Sequence, residues 1–168
     1  MSLKIGSVAI PFVSGFDIRQ TYDELSAKTI LRSKSGAAIL QSRWQKLKST
    51  ISGSSWLPAA IDSIDKTVMQ TVSCVAPLSV FGATTTITIP RTFRTETDYA
   101  PQAIAIVNGE MIETTLSLAG SVCTLAAVSG ATQYQVVYYP IITGVISINK
   151  DHDTSNQLGG WTIELEEQ

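Results

Sequence analysis

His152 is the one histidine of the chain, and it stands between Asp151 and Asp153. An imidazole flanked by two carboxylates is the densest group of possible metal ligands or acid–base groups in the sequence. Metal sites need donors that converge on one ion. Three consecutive residues in a polar, glycine-bearing stretch, KDHDTSNQLGG, converge poorly, so the reading is an exposed loop and no metal ligand is assigned. With a single histidine, most nucleophile–base triads and most zinc sites drop out. Neither a Gly-x-Ser-x-Gly elbow nor a glycine loop feeding a helix occurs. Asp62 and Asp65, three apart on a short helix, read as a polar face rather than as a glycosidase pair. No catalytic residue and no cofactor site follows, and the chain is expected not to be an enzyme.

Cys74 and Cys123 are far apart, each in an apolar, strand-like context without CxxC spacing. They are expected as buried, reduced thiols. The N-terminal MSLKIGSVAIPF is broken by Gly6, Ser7 and Pro11 and is too short for a signal core. No apolar run approaches the roughly 18 residues of a membrane span, so no membrane insertion and a soluble protein are expected.

Charge is the more informative property. The formal net charge is -2 and the pI is near 5.3, which argues against a chain that coats nucleic acid. The distribution is uneven, however. Between Leu25 and Ile61 lie Lys28, Arg32, Lys34, Arg43, Lys46 and Lys48, half of the 12 Lys and Arg, with no Asp or Glu. The tail from Asp151 to Gln168 holds Asp151, Asp153, Glu164, Glu166 and Glu167 with no Lys or Arg. Two solvated faces would explain this. The sharper reading is a basic face of one copy meeting an acidic face of the next, with charge setting orientation. Trp44 and Trp56 beside the cations also supply the ingredients of a nucleic-acid surface, a reading the overall acidity weighs against. The candidate interface or channel-lining residues are therefore Arg32, Lys34, Arg43, Lys46, Lys48, Glu164, Glu166 and Glu167.

The elements that must position these residues are mostly strands. Abundant Thr, Ser, Val and Ile with few charges predict a mainly β chain. A first strand is read over Ile5 to Val13. Ile18, Gln20 and Tyr22 alternate against Arg19 and Thr21, followed by a turn and a second strand leading to Lys34-Ser35-Gly36. Ala37 to Ser52 fits both periods: Leu40, Trp44 and Leu47 have helical spacing, while the flanking turn residues favour one long strand with Trp44 and Leu47 on opposite faces. Gly53-Ser54-Ser55 reads as a break before a short helix near 58–65, with Pro58 in its first turn. Thr67 to Val80 is strand-like, interrupted by Pro77.

From Thr84 to Tyr139, runs at 84–89, 102–107, 110–118, 121–128 and 132–139 are separated by Asn108-Gly109, Ala119-Gly120 and Ser129-Gly130. Asn-Gly between alternating runs signals a hairpin, and the region reads as an inserted four-stranded antiparallel meander. Ile141 to Asn149 is a further strand. Trp161, Ile163 and Leu165 alternate with Thr162, Glu164 and Glu166 in a half-buried final strand. The fold expected is an antiparallel sandwich or split barrel with one short helix, divided into 1–83 plus 140–168 and an insertion at 84–139.

The order of an Ile-Pro first strand, GFDIRQTYDE, ILRSKSGAAILQSRWQKLKSTISGSSWLPAAID, and the closing YYPIITGVIS and GGWTIELEEQ resembles structural proteins of tailed-bacteriophage tails. It is most similar to small distal tail proteins of long-tailed phages. The resemblance implies a virion tail protein assembled in the host bacterial cytoplasm, forming a hexameric ring that joins the tail tube to the tail-tip complex. Its implied partners are further copies, tube proteins and tip or hub proteins, with DNA passing through the ring without specific binding. A tail terminator, head-tail connector or baseplate ring is the alternative of the same class. The alternative of another class is a glycan-binding module for host attachment using Tyr134, Tyr138, Tyr139 and Trp161. The chain is short for a distal tail protein, which leaves little length for a large carbohydrate-binding second domain.

Overall fold

A computed structural model describes residues 2–10, 17–55, 60–153 and 158–168. The protein is mostly antiparallel β, with 14 strands and only short 3-10 turns among the described residues. The chain divides into two units, Met1–Ala9 with Thr71–Ile142 and Ile10–Gln70 with Thr143–Gln168. Relative to an insertion at 84–139, the inner unit also takes in the first residues and the stretch from Thr71 to Ala83.

In the first unit, β1 (Leu3–Ile5) pairs with β5 (Gln70–Ser73), Lys4 opposite Ser73 and Ile5 opposite Val72. The first strand read from the sequence is in fact two pieces, and its expected end at 11–13 lies outside the described residues. Gly6 takes a left-handed φ of 56° and turns the chain between β1 and β2 (Val8–Ile10). Two sheets follow. One consists, in spatial order, of β6 (Leu78–Gly82), β12 (Ala131–Tyr138), β8 (Gln102–Val107) and β9 (Glu110–Thr114). The other consists of β10 (Leu116–Ala119), β11 (Val122–Leu125) and β7 (Thr86–Thr88).

Inward residues of both sheets, Ile87, Ala103, Ala105, Cys123, Leu125, Tyr134, Val136 and Tyr138, form one buried cluster. This is a sandwich in which alternate residues of each strand face the other sheet. The Asn-Gly hairpin forms as expected, with Asn108 and Gly109 at φ 53° and 85° between β8 and β9. The expected meander does not stay in one sheet. The run 110–118 divides at Thr115, so that β9 remains beside β8 while β10 crosses to β11. Burial explains the division, because Cys123 and Leu125 on β11 fill the core from the second sheet.

Arg94 is the largest fully buried side chain of the described residues, 2% exposed. Its Nη1 donates to the carbonyls of Ser2 (3.1 Å), Ser73 (3.4 Å) and Cys74 (3.0 Å), and its Nε donates to Glu96 Oε2 (3.2 Å). The guanidinium lies 3.3 Å from the Tyr99 ring centre. A buried cation is tolerated only when its donors are satisfied in this way, and here it ties the N-terminal segment to β5. Both cysteines are buried, and neither is in a disulfide among the described residues.

The second unit is built, in spatial order, from β13 (Ile141–Asp153), β14 (Leu158–Glu167), β4 (Ala38–Ser55) and β3 (Arg19–Arg32). The turn expected within 23–28 is absent, and β3 is continuous because it pairs with β4 along its whole length, through one bulge. One face of the sheet carries Ile51, Ile146, Ile163 and Leu165, all buried. Each such side chain contributes about 1.5–3 kcal/mol on leaving water. Ser49 on this face is fully buried, but its hydroxyl donates to Thr21 O and accepts from Gln20 Nε2.

Gly53-Ser54-Ser55 is not a break. Gly53 stands opposite Trp161, and a β-carbon there would lie 2.7 Å from Cε2 of the indole. The glycine makes room for a cross-strand tryptophan, as glycines within strands do where a neighbour approaches closely. The short helix is a 3-10 turn at Ala60–Ser63, and Trp56 and Pro58 lie outside the described residues. In the polar stretch after Asn149, residues 154–157 lie outside the described residues, and the flanks are not open loop. Lys150–Asp153 extend β13 and pair with Leu158–Trp161.

Gly53→Ala is expected to overpack the Trp161 contact and lower stability by about 1–3 kcal/mol, read as a lower denaturant midpoint with an unchanged far-ultraviolet spectrum. The Arg94 guanidinium beside Glu96 holds its carboxyl down to about 2, below the ordinary 4.5. A depressed carboxyl pKa stabilises the fold above its unfolded value, and that contribution is lost as pH falls toward 2. The melting-temperature gap between wild type and Glu96→Gln is therefore expected to be largest at neutral pH and to close between about pH 4.5 and 2.

Candidate functional site

The basic segment resolves into two parts with different surroundings. At its inner end, β14 pairs with β4 from Ser55 to Lys48. Here the cations meet the acidic tail of the same chain. Lys48 Nζ lies 3.0 Å from Glu164 Oε2 and 3.7 Å from Glu166 Oε1, and the Glu164 carboxylate raises the ammonium above its ordinary pKa. Lys46 Nζ donates to the Gln168 carbonyl, and the Leu47 amide donates to Glu167 Oε2 at 2.7 Å. Five of the eight candidate residues are thus brought together within one chain, as cross-strand neighbours at the end of a sheet.

The other three, Arg32, Lys34 and Arg43, lie where β3 and β4 run on without a third strand. Past Lys48, ten further residues of β4, back to Ala38, have β3 alone as a partner. At a rise of about 3.4 Å per residue, this two-stranded arm continues for roughly 30 Å. Its register shifts between Ser26 and Lys28 of β3, where the β4 partners step from Gln45 to Ser42, leaving Arg43 and Trp44 as a bulge. The tip is fixed by Ser33 and Gly36. Ser33 N donates to Ala37 O, Gly36 N to Ser33 O, and Arg32 Nη1 to Gly36 O, with Gly36 at φ 84°.

Directly opposed residues of the arm are Ile30 with Leu40 and Leu31 with Ile39. Because successive side chains point to opposite faces, one apolar pair lies on each face of the ribbon. Ile30 is 66% exposed and Leu40 62%, and Leu31, Ile39 and Trp44 are exposed as well. A solvated sheet normally hides its apolar residues on one face; this ribbon hides neither. Lys28 is bound to Glu24, whose other oxygen accepts from Gln45 Nε2. Arg32, Lys34 and Arg43 form no ion pair among the described residues.

Among the described residues, no group of three His, Cys, Asp or Glu could hold a metal ion, and no helix is long and apolar enough to cross a membrane. The aromatic set considered for glycan binding is largely internal. Tyr134, Tyr138 and Trp161 are buried, and Tyr139 is half-buried with its ring edge-to-face on Tyr99 at 4.9 Å. Sequence reasoning located the cations of the arm but missed the exposure of Ile30, Leu31, Ile39 and Leu40. The signal was present as apolar residues adjacent in sequence on both strands, a pattern with no polar face.

Amides of residues 28–32 and 38–42 are expected to exchange with solvent deuterium far faster than those of β14, since a two-stranded ribbon opens at little cost. The measurement is hydrogen exchange on the dilute protein. Set against known proteins, the chain matches no family model, no curated protein and no solved structure.

Proposed function

We propose that the chain is a structural assembly protein, a subunit of a homo-oligomeric ring in a bacteriophage tail, with the β3–β4 arm as its contact element. The observation that carries the reading is the arm: an exposed ribbon with apolar pairs on both faces and three cations that no described acid neutralises. A ribbon of that composition gains most of its stability from what covers it. Head-to-tail contacts between copies close into rings when the rotation permits, and the resemblance of the chain's sequence to distal tail proteins supplies the setting. In that setting the neighbours are tube and tip or hub proteins, six copies surround a channel that passes DNA without reading it, and the subunit acts by contact rather than catalysis.

Light scattering after gel filtration tests this. The wild type is expected at a multiple of 18.0 kDa, with the mass falling toward one chain as salt screens the arm's cations. Ile30→Thr with Leu40→Thr keeps strand propensity and a folded subunit while removing the apolar contact, and is expected to run as a single chain. An assembly that survives this double substitution unchanged overturns the reading.

A further inference from the structure

Two free edges run along the arm, and they differ in what guards them. Ser33 N donates to Ala37 O, which makes Ser33 and Ala37 a bonded pair at the tip. Bonded and non-bonded pairs alternate along an antiparallel ladder. Leu31 with Ile39 and Thr29 with Gln41 are therefore the next bonded pairs. The amides and carbonyls of Lys28, Ile30 and Arg32 on β3, and of Ala38, Leu40 and Ser42 on β4, point away from the ribbon. Exposed edges are ordinarily blunted by charge, proline or a bulge, because their free backbone groups template further pairing. The β3 edge is blunted in this way, since two of its three outward residues are cations. The β4 edge is not: from Gly36 to Ser42 it reads Gly-Ala-Ala-Ile-Leu-Gln-Ser, exposed throughout, without charge or proline. β14 covers this side of β4 only as far as Lys48, and no described strand continues it toward the tip.

We propose that this β4 edge pairs with the same edge of a second copy, antiparallel, about a two-fold axis at Ile39. This rests on the reading of the arm as the contact element and names what the arm meets. The register follows from the ends of the segment. The tip turn, with Gly36 at φ 84°, closes it on one side, and the bulge at Arg43 and Trp44 interrupts the ladder on the other. With Ile39 at the axis, the whole run 36–42 pairs within itself. Ala38 of each copy then meets Leu40 of the other, outward groups against outward groups, and the two Ile39 side chains meet on the opposite face. Main-chain hydrogen bonds supply affinity in such additions, and the opposed side chains supply selectivity. Charge favours a second copy as the occupant. Its tip would run in line with β14 toward the acidic end of that strand, where Leu25, Trp44, Lys46, Glu166 and Glu167 line a groove. Lys34 at the tip has no ion pair among the described residues, and Glu166 is 3.7 Å from Lys48 and 56% exposed. A cation brought there meets an indole and a carboxylate together. The contact closes on itself, so a ring built with it holds its copies as pairs.

The test places a thiol at the axis. Ile39→Cys sets two cysteines opposite each other at a non-hydrogen-bonded position, about 4.5 Å apart at the α-carbons, within the span of a disulfide. Leu40→Cys, at a neighbouring exposed position, leaves its two copies on a diagonal of about 7–8 Å, beyond that span. After mild oxidation with diamide, Ile39→Cys is expected to give a covalent pair at twice 18.0 kDa on a non-reducing gel, with at least about tenfold the yield of Leu40→Cys. The wild type, whose two cysteines are buried, is the blank. Leu40→Pro removes an outward amide that the ribbon itself does not use, and is expected to weaken association by at least about tenfold in light scattering, with circular dichroism showing the fold. If Ile39→Cys cross-links no better than Leu40→Cys, or a folded Leu40→Pro associates like the wild type, the inference is overturned. If Ile30→Thr with Leu40→Thr still disperses the assembly in that event, the arm remains the contact element and docks by another route. If that double variant leaves the assembly intact, the underlying reading falls too. A wild type that remains one chain at every concentration overturns the inference, since a second copy is then not the occupant.

Discussion

The difference in length between β4 and β14 governs the second unit. β4 extends from Ala38 to Ser55, but its pairing with β14 stops at Lys48. Beyond that point Glu167 turns its carboxylate to the Leu47 amide, and Lys46 reaches the Gln168 carbonyl. The acidic end of β14 thus satisfies polar groups that a longer strand would have satisfied with its backbone. This ending is what converts a four-stranded sheet into a two-stranded arm. Strand addition in a sheet is cooperative because each strand gives its neighbour a hydrogen-bonded edge and a covered face. The arm has one such neighbour only, and its side chains are exposed accordingly.

The same boundary sorts the charges. On the sheet, Lys48 faces Glu164 and Glu166 from the adjacent strand, so the cations and acids that looked like opposite faces of two molecules are largely one ladder within a chain. Exposed pairs of this kind add little to stability, but they fix which side of the sheet is wet and keep Ile51, Ile163 and Leu165 on the other. On the arm, Lys28 is paired with Glu24, while Arg32, Lys34 and Arg43 form no ion pair among the described residues. An argument from net charge would miss this, because a value of -2 averages a neutralised sheet with an unneutralised ribbon.

Much of this was legible in the sequence, for identifiable reasons. The final strand was plain because Trp161, Ile163 and Leu165 alternate cleanly with polar residues, and the Asn108-Gly109 hairpin because both residues adopt left-handed φ there. The long strand after Ala37 was readable from its flanks, although Leu40, Trp44 and Leu47 have helical spacing. Gly53 misled because a strand glycine and a loop glycine look alike until the partner strand is known; only the register with Trp161 reveals its purpose. Arg94 gave no signal, since its value depends on carbonyls of Ser2, Ser73 and Cys74, distant in sequence. The division of 110–118 between two sheets was hidden for the same reason: periodicity shows that a run is strand but not which sheet receives it.

The exposed apolar pairs of the arm bear on function more directly than any polar residue does. Single exposed apolar residues are ordinary on protein surfaces. Cross-strand pairs on both faces of one ribbon are different, because each pair removes the polar face that would keep the ribbon at rest in water. Ile30 with Leu40 and Leu31 with Ile39 could have been Thr or Lys at no cost to the strand geometry. Stability of the isolated chain therefore does not account for them. The hydrogen-bonded Ser33–Gly36 tip and the bulge at Arg43 and Trp44 fix the end and the twist of that ribbon.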